Sequence, residues 1–308
     1  SRPFGITLDG TRALVTDLDL ETVFAVDLTS GDRSVVSDSV TGSGPAFLSP
    51  LGIVVDGGRA LVADSTRQAV MAVDLASGDR TILAGTGPAF GNPVGITLDG
   101  TRALVIDSVL FDVFAVDLAS GDRTILTPDI AGTGTPLDFP GGIAVDGNRA
   151  LVTEQVLGAV MAVDLASGNR TTFTGGATGS GPAFNNPLGI ALDLAQDRAL
   201  VTDSAARAVF AVGLASGDRT ILSDDTTGIG PAFGLPTGIT LDGNRALVAD
   251  SFLGAVVAVD LATGDRTILS DAVTGTGPAF SSPEWIALDG SRALVTDMLL
   301  GGVMTVDL

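Results

Sequence analysis

An all-β fold, a seven-bladed β-propeller of four-stranded antiparallel sheets, is what the 308-residue sequence predicts, and three observations predict it. The first is a period. Gly-Ile pairs begin at Gly5, Gly52, Gly95, Gly142, Gly189 and Gly238, with Trp285-Ile286 in the seventh place, at spacings of 47, 43, 47, 47, 49 and 47 residues. A repeat of this length means a repeat architecture. The second is local: short runs rich in β-branched residues, separated by Asp-Gly and Ser-Gly-Asp, read as strands joined by tight turns. The third is burial. Runs such as "AVMAV" at residues 69–73 are apolar on both faces, as a sheet sandwiched between two neighbours requires. Seven such sheets make a propeller. A solenoid would carry distinct polar caps, which the sequence lacks, and frequent Gly and Asp-Gly turns disfavour helical repeats.

The first unit shows each element in order. "GITLD" from Gly5 is the innermost strand and ends in the Asp9-Gly10 turn. "RALVTD" from Arg12 is the second strand and "VFAVDL" from Val23 the third. After the turn "TSGD", "RSVVS" from Arg33 is the outer strand. Blades start near residues 4, 51, 94, 141, 188, 237 and 284 of a single domain spanning 1–308. Outer strands follow Gly31, Gly78, Gly121, Gly168, Gly217 and Gly264, but the seventh unit stops at "VMTVDL", residues 303–308. The seventh blade is therefore expected to lack its outer strand in this chain, leaving an edge that invites pairing. The expectation is a piece of a longer protein, or an edge that a partner covers.

Composition excludes several functions. There is no Lys, His, Cys or Tyr; all 16 basic residues are Arg, 33 of 36 acids are Asp, and the net charge is −20. No basic patch exists to follow a nucleic-acid backbone or an anionic membrane. No run of roughly 18 apolar residues is present for membrane insertion. An acidic surface suits high salt, a calcium-rich exterior or cationic partners, which favours an extracellular or periplasmic setting.

Residues 47–75, "FLSPLGIVVDGGRALVADSTRQAVMAVDL", carry a further pattern: Phe47, Pro50, Gly52-Ile53, the Asp56-Gly57 turn, a strand ending Ala63-Asp64 and another ending Val73-Asp74. This stretch resembles an NHL repeat, and the match recurs along the whole chain. The resemblance implies the propeller fold. It implies no single activity, because the family includes peptide binders, lyases and lactonase-like enzymes. The chain departs from the family in its second strand, where Ala-Leu-Val stands in place of a frequent aromatic.

Chemistry is expected on the face shared by the loops between strands two and three and the links between blades. The Asp-Gly and Ser-Gly-Asp turns are expected on the opposite face. Links repeat "TGSGPAF" at residues 41–47, where Gly and Pro fix a turn and Phe47 plugs the seam. Second strands end in seven acids: Asp17, Asp64, Asp107, Glu154, Asp203, Asp250 and Asp297. Two readings stay open for them. Each carboxylate can accept amide hydrogens of its own loop, or the ring can hold a hard cation such as Ca²⁺ through oxygen ligands. On the other face, Asp27, Asp74, Asp117, Asp164 and Asp260 lie across the hairpin from outer-strand Arg33, Arg80, Arg123, Arg170 and Arg266, a spacing for cross-strand ion pairs.

Function has to reside where the sevenfold pattern breaks. Glu154-Gln155 replaces Asp-Ser in blade four, "LAQD" at residues 194–197 lengthens a turn, and the link after blade two is short. The link after blade three is rewritten at residues 127–140, and Glu284-Trp285 replaces the usual pair before Ile. Gly at the other six Trp285 positions lets inner strands approach closely. That places Trp285 and Glu284 near the channel mouth. The expectation is a non-catalytic binding or scaffold propeller, with Glu284, Trp285, Glu154 and Gln155 as ligand-binding candidates. Its partner would be a protein, a peptide or a flanking domain of the same chain. The alternative is a cation-dependent lactonase or hydrolase. Resemblance to gluconolactonase-like propellers implies Ca²⁺ held by Glu154, Glu284 and nearby Asp, polarising a carbonyl or activating water.

Overall fold

The computed structural model describes residues 1–127 and 133–308 and bears out the all-β, seven-bladed architecture. Blade one orders its strands as Pro3–Asp9, Arg12–Asp17, Thr22–Asp27 and Arg33–Ser37, each antiparallel to the next. Blades two to six repeat this order. Blade seven has three strands, Pro283–Asp289, Arg292–Asp297 and Gly302–Asp307, as the sequence predicted. No α-helix occurs among the described residues; the "LAQD" insertion is one 3-10 turn, Leu194–Gln196, closed by Asp197 at φ 50°. The rewritten link after blade three lies partly outside the described residues.

Two compact units hold the blades: Ser1–Pro136 with Ala166–Asn169, and Leu137–Leu165 with Arg170–Leu308. Within each, the core lies in the seams. Phe47, 1% exposed, packs among Leu14, Val23 and Ala25 of blade one and Val62, Met71 and Val73 of blade two. Phe90 does the same between blades two and three, and Phe184, Phe233 and Phe280 serve the seams of the second unit. The expected role of the link Phe holds. The second and third strands of blade two are apolar on both faces because each face meets a seam.

First strands of successive blades lie side by side within each unit. Each breaks register with its second strand between Pro and Ile, for example between Pro236 and Ile239, and the repeat's Gly sits on that bulge except in blade three, where Gly95 stays paired with Ile106, and blade seven, where Trp285 stands there. A Cβ at Gly52 would fall 2.6 Å from Val94 O and one at Gly142 2.7 Å from Leu188 O. At Gly238 it would overlap Glu284 O. Threonines on second strands add a staple at the same place: Thr16 Oγ1 donates to Leu51 O at 2.6 Å and Thr153 Oγ1 to Leu188 O at 2.7 Å.

The arginines correct one expectation. Second-strand Arg pairs with the acid of its own Asp-Gly turn, as in Arg59–Asp56 at 2.8 Å and Arg245–Asp242 at 2.7 Å. Arg59 also donates to Leu118 O of the next blade at 2.7 Å. Outer-strand Arg80, Arg123 and Arg266 reach link carbonyls rather than the acid across the hairpin. Asp74 instead caps its own turn, accepting the amides of Ala76 at 3.0 Å and Ser77 at 2.8 Å. Arg80, 4% exposed, turns into the seam. Its Nε donates to Pro45 O at 2.7 Å, its Nη1 to Ser37 Oγ at 2.6 Å and to Thr41 O at 3.0 Å, and it lies 5.7 Å from the Phe47 ring. Arg219 and Arg266 repeat this set on Pro182 and Phe184, and on Pro231 and Phe233.

This also corrects the placement of the links on the face opposite the Ser-Gly-Asp turns. The links after blades one, two, four and five run against the following blade's turn before they re-enter the seam. Ser43 N donates to Asp79 Oδ1 at 2.7 Å, and Arg80 N to Ser43 O at 2.7 Å. Gly42 and Gly44, at φ +75° and +105°, give the backbone the room and the turn that this needs.

Two predictions follow from these contacts. Gly238→Ala drives a Cβ into Glu284 O and is expected to cost about 2–3 kcal/mol, whereas at Gly95 a Cβ meets only the Ile106 side chain at 3.4 Å and is tolerated. Urea midpoints of the two variants check this. Amide and hydroxyl donors from Ser43 hold the Asp79 carboxyl below its ordinary value. The latch is therefore complete above the ordinary carboxylate range and is lost as pH falls through that lowered value. Asn169 occupies the equivalent place and accepts Thr133 N at 3.1 Å. Asp79→Asn is expected to fold and to weaken the acid dependence, read by denaturation across the acid range.

Candidate functional site

The seven acids at the ends of second strands are buried ties. Asp250 Oδ2 accepts Gly234 N at 2.7 Å, while Oδ1 accepts Leu235 N at 2.8 Å and Leu253 N at 3.0 Å. Asp64, Asp107, Asp203 and Asp297 take the same two groups of donors, from the end of the incoming link and from their own loop. Asp17 accepts Arg2 N at 3.0 Å and Leu20 N at 3.1 Å. Each carboxylate thus locks a four-residue loop whose last residue is left-handed, such as Gln68 at φ 55° or Gly254 at φ 58°. The amide-accepting reading describes these contacts, widened to include the link. Among the described residues, no three acidic side chains come together as a set that could hold a metal ion.

Blade four breaks the pattern. Glu154 is fully buried, and its Oε2 accepts both link amides, Asp138 N and Phe139 N, at 3.0 Å. The extra methylene carries the other oxygen past the loop amides, and Oε1 has no hydrogen-bond partner. Burial pushes the Glu154 carboxyl above its ordinary value, against the two amides that lower it. Gln155 is half-buried, and a Cβ at Gly141 would lie 3.4 Å from its Nε2. The Gln155 side chain covers the bulge where the other blades carry a side chain.

Glu284 and Trp285 lie on the bulge of the first strand of blade seven. Trp285 is 37% exposed, and its N–H reaches Thr296 Oγ1 at 3.2 Å. Glu284 accepts Ser282 Oγ at 3.3 Å; burial raises its carboxyl, with Asp297 adding to the effect. Their backbone receives Gly238 and Thr237, whose Oγ1 donates to Glu284 O at 3.1 Å. Glu154-Gln155 and Glu284-Trp285 sit on different blades.

What the sequence reading missed is apolar. The tips of the loops after the buried acids expose large side chains at one register. In the first unit these are Leu20, Val109 and Leu110. In the second they are Val156, Leu157, Phe252, Leu253, Leu299 and Leu300, with Phe252 79% and Leu299 74% exposed. Each tip follows its acid, so the tips of a unit share one end of its blades. Phe139 and Leu235, on the amide-donating ends of links, are exposed beside them. The pairs "VL", "FL" and "LL" two residues past Asp107, Glu154, Asp250 and Asp297 were the available signal.

No protein-family model matches the chain, and no curated protein matches it in sequence. Solved structures share the fold. Virginiamycin B lyase from Staphylococcus aureus superposes over 100% of this chain and 95% of its own, with TM-score 0.76 and 13% identity. Hydrazine synthase from Kuenenia stuttgartiensis covers 99% of this chain and 95% of its own at TM-score 0.73 and 15% identity. The extracellular domain of a putative one-component system from B. thetaiotaomicron matches 99% of this chain with 38% of its own length, at TM-score 0.74 and 11% identity. At these identities the likeness establishes the seven-bladed propeller and nothing of activity. Among the described residues no helix is long and apolar enough to cross a membrane.

Glu154→Asp is expected to restore the loop bonds and to raise stability by about 1 kcal/mol near neutral pH. A raised carboxyl favours the neutral form in the fold, so its contribution is present in acid and lost as pH rises through the raised value. The gain should therefore shrink on acidification, which urea unfolding at neutral and acidic pH will show.

Proposed function

We propose that the chain is a non-catalytic binding propeller of NHL type, a single domain within a larger secreted or surface protein. Its protein or peptide partner docks on the ends of the blades that carry the buried acids. The exposed apolar register of the loop tips carries this reading. Large apolar side chains exposed at the same loop position on several blades of one unit offer apolar surface for an interaction, and Phe252, Leu299 and Val156 are 79%, 74% and 66% exposed. Phe252 and Leu299 project from loops whose amides the buried Asp250 and Asp297 carboxylates hold, which reduces the ordering cost of binding. Trp285 and Phe139 add aromatic surface of the kind that anchors interfaces. The reading asks no cation of the seven acids, whose oxygens, Glu154 Oε1 excepted, are engaged by amide or hydroxyl donors. The net charge of −20 favours a partner with basic residues around its apolar contact.

The triple variant Phe252→Ser, Leu299→Ser, Val156→Ser tests it. These side chains are exposed, so the melting temperature is expected to stay within a few degrees. The immobilised wild-type chain is expected to retain a polypeptide from source-cell extract that the variant loses at least tenfold. Equal retention by both chains would refute the apolar face as the docking surface.

A further inference from the structure

Blade five breaks the repeat at the turn between its first two strands, and the proposed docking face makes no use of that break. Other blades join these strands through two residues, such as Gly57-Gly58 and Gly243-Asn244, and blade five through four, Leu194 to Asp197. The added length winds into the 3-10 turn Leu194–Gln196, which Asp197 closes at φ 50°. Its effect falls on Asp193. That acid is 7% exposed, whereas Asp56 and Asp242 at the same place are half-buried. Asp193 Oδ2 accepts Arg198 Nε at 2.8 Å, and Oδ1 accepts no hydrogen bond among the described residues. The side-chain atoms both sealed from solvent and unbonded, among the described residues, are Arg67 Nε and Glu154 Oε1, so Asp193 Oδ1 remains reachable.

A cavity of 380 Å³ lies against it, at the seam of blades five and six within one compact unit. Asp193, Arg198 and Gln196 line it from blade five, and Asn244 lines it from blade six. The Gln196 and Asn244 carboxamides are exposed and make no hydrogen bond among the described residues. Ala195, Leu261 and Ala262 add apolar lining. Arg198 Nη2 also donates to Leu261 O at 3.3 Å, which fixes the guanidinium against blade six. The volume falls in the range of small-molecule sites.

The chemistry of the lining selects the ligand. Arg198 neutralises Asp193, so the cavity carries no net charge in a chain of −20. A cation entering it meets the guanidinium, and an anion meets the carboxylate. Two carboxamides, a carboxylate oxygen and a guanidinium offer acceptors and donors together, and a hydroxyl is the group that is both. The alanines and Leu261 suit the C–H face of a ring. We propose that this cavity binds a neutral polyhydroxylated small molecule of hexose size. Asp193 Oδ1 accepts one hydroxyl, and Gln196 and Asn244 bond others from the two blades. No aromatic ring is among the described lining residues, so hydrogen bonds set the affinity, with a dissociation constant on the order of 1–10 mM. Arg198 begins the strand that Asp203 ends, so this site and the loop tips lie at opposite ends of the blade.

Glucose, galactose and mannose are the probes, each titrated into the intact chain to about 50 mM and followed by backbone-amide NMR shifts. The expected result is a saturable shift with at least one hexose, confined to residues 193–198, 243–245 and 261–262. Gln196→Ala together with Asn244→Ala is expected to leave the melting temperature within a few degrees, since neither carboxamide is bonded in the fold, and to weaken binding about fivefold or more. Three results would overturn the site: no saturable shift with any of the hexoses, unchanged affinity in the double variant, or a stronger response to methylammonium chloride or sodium sulfate, which would mark a site that reads charge. None of them bears on retention of a polypeptide by the loop tips.

Discussion

Seams between blades depend on a buried guanidinium. Arg80 reaches back across the seam to three oxygens of the preceding link and covers the Phe that plugs it, so one side chain fixes both strand order and link path. Burial pulls the guanidinium below its ordinary value, with Asp38 and Asp79 opposing the shift. Arginine remains charged under that penalty, where a lysine would shed its proton more readily. Several otherwise arbitrary residues then have a cause. Two link glycines admit the next blade's turn, the small hydroxyl at the end of the outer strand receives Nη1, and the proline presents a carbonyl with no amide to satisfy. Remove the cation and these groups lose their common partner.

A second tie works at the other end of each blade. The acid at the end of the second strand gathers amides from two segments that approach each other only in the folded sheet. Both ties join consecutive chain segments, link to blade and blade to link, so the fold is assembled from contacts between neighbours in sequence. Near-identical repeats are sufficient for this, and the chain can repeat its sequence without loss of definition.

That economy explains what was legible beforehand. Period, turn residues and two-sided apolar strands specified the blades, the missing strand and the role of Phe47, because those signals lie within one repeat. The arginine's partner did not show. Asp74 and Arg80 stand across one hairpin, but the guanidinium prefers carbonyls of a link some 35 residues earlier, and spacing within a hairpin carries no trace of that choice. The apolar tips were overlooked for a different reason. Valine, leucine and phenylalanine in a mostly apolar sequence read as core, and only the left-handed residue closing each loop turns them outward. Glu154 shows the reverse case. Its replacement of Asp was visible, but its consequence, one carboxylate oxygen without a donor, needed the length of the side chain measured against the loop.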